Sequence, residues 1–473
     1  MATVSELRVH GGRGAEGWLL ALTVVIAALA RSLVDYHADV LVISEIAWYT
    51  AGFAAACTVL HLVMRTFAPH ADQVLLPAAL GLVGVGLAMI RRIDFGYLQN
   101  KGRETDFGDA QIMWALIGAA CLIAVLVIIR DHRVLRRFTY TAGVIGIVAY
   151  LLPAVPGLGV EINGAKIWIS IAGRSLQPGE FAKIALVIFF AGYLQANRDA
   201  LALAGPKVLG LRLPRMRDMG PLAVMFGAAL LIMINQQDLG AALLFFGIFI
   251  AMVYVATERV SWVIIGLLLF IVGAVAAGIV FPHVAARYDA WLHALDTDVY
   301  SSGSSQQLVG GLFGMASGGL FGTGLGEGRP DLVPYAESDF IIASLGEELG
   351  LTGLMAILTL YVIIVQRAMR TAIGVRDGFG KLLAAGLGFI LALQVFIIVG
   401  GVTRIIPLTG LTTPFLAYGG SSMLASFIII ALLLRISDLA RRPADTPGPR
   451  KEPDAAVQDP SRRRPDLEEA GAQ

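Results

Sequence analysis

Residues 260–281 read VSWVIIGLLLFIVGAVAAGIVF, a run with no charged side chain. A helix needs roughly 20 apolar residues to cross the hydrocarbon core of a bilayer. The run shows no alternation of apolar and polar positions, so it reads as a helix and not as a barrel strand, the other backbone that can span a membrane. Comparable runs occupy 17–35, 44–65, 73–90, 112–129, 138–153, 181–196, 220–235, 239–256, 350–366, 382–400 and 413–435. That makes about twelve transmembrane helices. Composition agrees: of 473 residues 57% are hydrophobic and 15% charged, with a mean hydropathy of +0.74, whereas a soluble domain is about a quarter charged. The fold class expected is an all-α polytopic membrane protein with a large extracellular loop.

That loop follows the quoted run directly. From Pro282 to Gly350 the chain holds paired acids (Asp296, Asp298), a glycine-rich stretch from Ser317 to Gly326, and an acid-dense end through Glu337, Asp339, Glu347 and Glu348. Lysines and arginines in short loops set orientation. Basic groups fall at 130–137, 207–217, 367–381 and 435–442. With twelve spans all four lie on one side, which must be cytoplasmic. Both termini are then inside the cytoplasmic membrane, and the outer loops are 36–43, 91–111, 154–180, 236–238, 282–349 and 401–412. Arg91, Arg92, Lys101 and Arg103 conflict mildly with this, offset by Asp94, Glu104, Asp106 and Asp109. Residues 1–16 and 438–473 are expected to be disordered cytoplasmic ends, since Pro-, Ala- and charge-rich segments cannot bury a core. Cys57 and Cys121 sit in apolar runs and read as small buried hydrophobes. The net charge of +1 gives no reason to expect a nucleic-acid partner.

Polar groups near membrane depth are costly and point to function. Glu180 and Lys183 are spaced i,i+3 and share a helix face; a snorkelling ion pair is the alternative. Asp238, in Gln236-Gln237-Asp238-Leu239-Gly240, fits an N-cap and could also line a cavity. Asp296 and Asp298 could serve as a general base or be solvated loop acids. The glycine stretch allows close backbone packing or approach to a phosphate. From Gly400 to Ser422 the density of Pro and Gly implies broken helix, with Arg404 as its one cation. His283 and His293 are weak metal evidence, and no metal ligands are assigned. All four clusters fall on the outer side and should converge on one cavity.

At these residues the chain resembles the SEDS family (shape, elongation, division and sporulation proteins, the FtsW/RodA/SpoVE group). Asn163-Gly164-Ala165 with Trp168-Ile169 and Gln177-Pro178 with Glu180-Phe181 and Lys183 match its first motif. Gln236 to Gly240, Ser317 to Gly326, Ser338 to Gly350 and Pro407 to Ser422 match four more, in order. The likeness covers roughly 73–437, and its detail is most like the actinobacterial RodA branch. It implies a ten-helix core over 71–437, preceded by two additional helices within 17–70. It further implies a peptidoglycan glycosyltransferase that polymerises lipid II for cell elongation and shape. The growing strand on undecaprenyl pyrophosphate would be the donor and the GlcNAc 4-hydroxyl of lipid II the acceptor. A loop aspartate would be the base. Substrate-binding residues would be Glu180, Lys183, Lys166, Asp238, Arg404, Ser421 and Ser422. Cations or a divalent ion (magnesium or manganese) would stabilise the pyrophosphate, with no nucleotide or organic cofactor. A class B penicillin-binding protein, the transpeptidase, would be the partner. The chain departs from the pattern at Gly179, Ile167, Gln237 and Ala417, and most at the catalytic loop. There the strict register falls on Tyr300, so the base is Asp298, the smaller displacement, or Asp296. A lipid II flippase and a non-catalytic scaffold for the transpeptidase are the competing readings. Polar clusters confined to the outer half favour the enzyme.

Overall fold

The computed structural model describes residues 12–162, 165–171, 173–198, 207–208, 211–212 and 216–442. Asn163, Gly164 and the ends beyond 12 and 442 lie outside the described residues, as does part of the expected basic loop at 207–217. Fifteen helices are used below. They are α1 Gly14–His37, α2 Ile43–Phe67, α3 Leu75–Lys101, α4 Phe107–Ile128, α5 Thr139–Leu151, α6 Gly179–Ala196, α7 Met216–Asn235 and α8 Leu239–Thr257. They continue with α9 Val260–Val280, α10 Pro282–Leu292, α11 Thr297–Ser301, α12 Gln306–Gly318, α13 Ile341–Gly374, α14 Gly378–Val402 and α15 Gly420–Arg441. Among the described residues eleven helices are long and apolar enough to cross a membrane, and the shorter apolar helix Gly220–Asn235 supplies the twelfth run. The chain is thus a multi-pass membrane protein.

Helices α3, α14 and α15 form the centre: 89%, 72% and 83% of their apolar windows are buried, against 6% for α9. The quoted run that opens the reading therefore presents nearly all of its apolar surface outward. Phe189, Phe190 and Phe245 pack in the interior, while α1 packs on α3, and α2 on α1 and α4.

The structure departs from expectation at several element ends, each for a local physical reason. Helix α3 continues to Lys101, so Arg91 and Arg92 are helical and not loop charges. Arg92 is buried, with Nε 3.0 Å from Glu348 Oε1, and Arg91 Nε donates to Asp35 at 2.8 Å. Ion pairing inside the bundle removes their conflict with the charge rule. The N-terminal boundary also shifts: Gly14 to Glu16 are helical, and buried Arg13 donates to the carbonyls of Ala68 and Ala71 at 2.9 and 3.1 Å. At the other end α15 runs to Arg441 because Asp438 accepts from the His70 amide at 2.8 Å. The expected last span begins later, at Gly420, and 413–419 is irregular.

Between Ala154 and Gly179 the described residues of the expected loop 154–180 are not helical. They form an antiparallel sheet of β1 Gly159–Ile162, β2 Ala165–Ile171 and β3 Arg174–Leu176. Val160 pairs with Trp168 and Ser170 with Ser175. β-branched residues favour such a surface, and Gly173 at φ +77° supplies the left-handed turn.

The first half of the large loop carries α10, α11 and α12. The loop's glycine stretch packs against a break in α13, where Gly350 adopts φ 66° and ψ −172°. Thr323 and Gly324 amides donate to the Glu347 and Glu348 carbonyls at 2.9 and 3.0 Å, and Leu351 and Thr352 amides to Gly319 and Leu320 at 3.0 Å. The break leaves helix carbonyls and amides without partners, and the glycine stretch satisfies them. A methyl group at Gly318 or Gly322 would run into the Gly346 or Glu348 carbonyl. Of the two uses the sequence allowed for this stretch, the geometry shows close backbone packing.

Candidate active site

The first turn of α6 places two charges inside the bundle. Pro178 precedes it at φ −64°, where a missing N–H costs no helix bond. Glu180 and Lys183 are 5% and 4% exposed. Lys183 Nζ donates to Glu180 Oε2 at 2.6 Å and to Gln394 Oε1 at 2.8 Å. Gln394 Nε2 in turn donates to the Thr412 carbonyl at 2.8 Å. A buried ion pair of this kind is strongly destabilised when one partner is removed, because the other charge remains uncompensated.

Asp238 caps α8, its Oδ1 accepting from the Ala241 amide at 2.9 Å. Gln237 before it stands at φ +61°. A proline, with φ fixed near −65°, cannot take that conformation, so the chain's departure from the family motif has a backbone counterpart. Across from Asp238, Arg287 of α10 lies in the field of both Asp238 and Asp339, and its donors reach the Leu408 and Thr409 carbonyls only at 3.4 Å. Asp339 stands beside Gly410. Burial pushes the Asp238 carboxyl up; the Ala241 amide and the charges of Arg287 and Lys183 oppose this, while Glu180 adds to it. Burial, then the charge of Glu337, pushes Asp339 up to about 7 against the pull of Arg287. These five groups form one electrostatic cluster at the loop-bearing end of the bundle.

A small cleft beside it is lined by Tyr150, Ile167, Gln177, Gly179, Gln236 and Asp238. Gln236 Nε2 donates to the Tyr150 carbonyl at 2.6 Å. A Cβ at Gly179 would come within 3.0 Å of the Tyr150 ring, which accounts for glycine where the family pattern has serine. Ser421 Oγ accepts from the Gln177 amide at 2.8 Å, tying α15 to the entry of α6. Ser422 is buried, and among the described residues its Oγ has no hydrogen-bond partner.

The remaining expected residues are placed elsewhere. Lys166 is exposed on β2. Arg404 does not point a free cation into the recess. It adopts φ +61°, and its guanidinium donates to the Trp291 and Leu292 carbonyls at 2.7 Å, capping the C-terminus of α10 as a basic residue can. Trp291 Nε1 returns a bond to the Arg404 carbonyl at 3.0 Å. Asp296 is the N-cap residue of α11 and Asp298 lies in its first turn; both are exposed. They are carried on the segment that α10 leads into, with Arg287 on the same helix.

Arg287 and Gln394 were not singled out by sequence reasoning, and Asp339 was named only among the acids that end the large loop. Gln394 carried a usable signal, a lone polar residue in the apolar run 382–400. Asp339 lay inside a matched motif. Arg287 is a lone cation on a short helix, and nothing local marks it.

The family model described as cell cycle protein, FTSW_RODA_SPOVE, matches residues 73–442. The chain is 47% identical over 446 residues to the peptidoglycan glycosyltransferase RodA of Mycobacterium tuberculosis, covering 94% of each chain. Among solved structures, a chain of a peptidoglycan synthase complex that coordinates polymerization and crosslinking aligns with TM-score 0.62 at 21% identity. It covers 79% of this chain and 99% of that one. The rod shape determining protein RodA of Thermus thermophilus aligns with TM-score 0.54 at 22% identity over 79% and 98%. At such identity these two likenesses concern the fold.

Proposed function

The chain belongs to the FtsW/RodA/SpoVE family of cell cycle proteins, and from that premise we propose how its recess serves glycan synthesis. It is a peptidoglycan glycosyltransferase. Its substrate is lipid II, polymerised at the outer face of the cytoplasmic membrane for cell elongation and shape. The loop-bearing end faces outward and both termini are cytoplasmic, a reading that the basic loops support.

Glu180, Lys183, Asp238, Arg287 and Asp339 lie in one another's electrostatic field, Arg287 belongs to the same loop as Asp298, and this convergence supports the reading. The donor is the strand on undecaprenyl pyrophosphate. Asp298, or Asp296 two residues earlier, takes the proton from the GlcNAc 4-hydroxyl of lipid II. The hydroxyl oxygen forms a bond to the anomeric carbon, the carbon–oxygen bond to pyrophosphate breaks, and undecaprenyl pyrophosphate leaves with the electron pair. Fixed cations beside the developing charge lower such a barrier without reorganising; Lys183 and Arg287 are placed to supply them. A divalent cation such as magnesium or manganese would be held by carboxylates together with substrate phosphates. Among the described residues no three His, Cys, Asp or Glu side chains gather as a metal site.

Below Lys183, α6 buries Leu186, Val187, Phe189 and Phe190, an apolar stretch that supports the enzyme over the flippase. A class B penicillin-binding protein is the proposed partner. Phe313, Leu320 and Phe321 are exposed on the large loop, an apolar surface suited to a docked transpeptidase.

Polymerisation of lipid II by purified Asp298→Asn and Asp296→Asn tests the base. Asp298→Asn is expected to abolish glycan formation with expression and partner binding intact. Loss only in Asp296→Asn moves the base by two residues, and loss in neither removes both.

A further inference from the structure

A second cavity, of about 270 Å³, opens between α1, α2, α3 and the start of α4. Two of its four walls, α1 and α2, precede the residues the family model matches. We propose that it binds the headgroup of a bilayer phospholipid that carries a primary ammonium beside its phosphate diester.

One wall is cationic. Asp35, 1% exposed, is shared by two guanidiniums: Arg31 Nε lies 2.7 Å from its Oδ2 and Arg91 Nε 2.8 Å from its Oδ1. One carboxylate balances one of the two charges. The nearest further acid, Glu45, is 3.9 Å from Arg91 and largely exposed. Arg31 and Arg91 also lie over the rings of Tyr49 and Phe95, at 5.3 and 4.6 Å, and both line the cavity. A planar guanidinium with donors left over is suited to a phosphate. Tyr49 lines the same cavity, and among the described residues its buried hydroxyl has no hydrogen-bond partner. A buried donor without an acceptor calls for a ligand atom.

The opposite rim is anionic. Asp94 is committed to the α4 N-terminus, accepting from the Thr105 hydroxyl at 2.5 Å and the Gly108 amide at 2.7 Å. Glu104, Asp106 and Asp109 also line the cavity, are exposed, and make no ion pair among the described residues. Lys101 and Arg103, the nearby cations, are held over the Tyr97 ring at 5.1 and 5.7 Å and do not line it. Leu87, Leu98 and Ile112 complete the lining. A phosphate wall, an ammonium rim and an apolar floor between membrane helices match a zwitterionic amphiphile. A simple anion would meet repulsion at the rim, and a simple cation at the arginines.

The test is native mass spectrometry of the full-length protein taken from vesicles of equal parts phosphatidylethanolamine, phosphatidylglycerol and phosphatidylcholine. Phosphatidylethanolamine is expected to be retained about fivefold over phosphatidylglycerol, a difference of about 1 kcal/mol. Glu104→Gln, Asp106→Asn and Asp109→Asn together should bring that ratio to about one. Arg91→Gln should lower retention of all three about tenfold. Since Arg91→Gln could weaken the fold, Tyr49→Phe removes only a hydroxyl and should lower retention about threefold at unchanged melting temperature. Equal retention of the two lipids by the unaltered protein overturns the proposal, as does unchanged retention in Tyr49→Phe. Displacement of lipid by millimolar inorganic phosphate would mark a free-anion site and overturn it too.

Discussion

Two pairs of carboxylates sit at the same end of this bundle and look alike in sequence: Glu347 with Glu348, and Asp238 with Asp339. Each pair lies at the edge of an apolar run. Their surroundings differ in one respect, how closely the facing arginine is engaged. Glu347 Oε1 accepts from the Arg329 amide at 2.9 Å, and Glu348 Oε2 from the Gly326 amide at 2.9 Å. Arg92 pairs with Glu348 and donates to the Gly328 carbonyl at 2.5 Å. That pair fastens the glycine stretch to α13. Asp238 and Asp339, by contrast, face Arg287, whose donors have only long contacts at 3.4 Å. Acids bonded to backbone amides beside a closely engaged cation buttress a fold. Acids held beside a weakly engaged cation can exchange that contact for a substrate.

The comparison can be broken by experiment, and the largest expected effect is on chemistry. A general base contributes about 10²–10⁴-fold, so Asp298→Asn should lose polymerisation by that factor while its melting temperature stays unchanged. Next in size is the buttress. Glu348→Ala leaves Arg92 buried without its partner and should destabilise the protein by about 3–5 kcal/mol, read as a lower unfolding midpoint in denaturant. Preserved stability there would erase the distinction between the two pairs. Arg287→Gln should cut the rate of polymerisation about tenfold or more with a small change in unfolding midpoint; the reverse pattern would assign Arg287 to the scaffold.

The smallest effect is a pH window. Asp339 is raised to about 7 from 3.8, so between those values the folded state holds a proton that the unfolded state has released. Its contribution to stability is complete below about pH 4 and falls as pH rises toward 7. Thermal unfolding of Asp339→Asn should therefore show less decline between pH 4 and 7 than the unaltered protein. An identical slope would place Asp339 in water.

Much of the membrane fold was legible because apolar length is a local property. The start of the expected tenth span, residue 350, coincides with the Gly350 break in α13. The sheet at 159–176 was not legible, since its strands are short and lie in a loop between two helical runs. Arg404 and Arg287 show the same limit at the site. As a lone cation among prolines and glycines Arg404 drew attention, yet its guanidinium holds α10. Arg287 on that same helix faces the acids. Choosing between two arginines requires knowing which carbonyls and carboxylates lie across the bundle.

The sequence by itself determined that this chain spans a membrane many times, that its polar motifs gather toward one end, and which family it resembles. Only the tertiary structure decided which polar groups are already partnered. Lys183 and Gln394 are 211 residues apart, and Arg435 reaches the Phe67 carbonyl across 368. The free energy of a buried charge is set by whatever lies within a few ångströms of it, and that neighbourhood is assembled from distant parts of the chain.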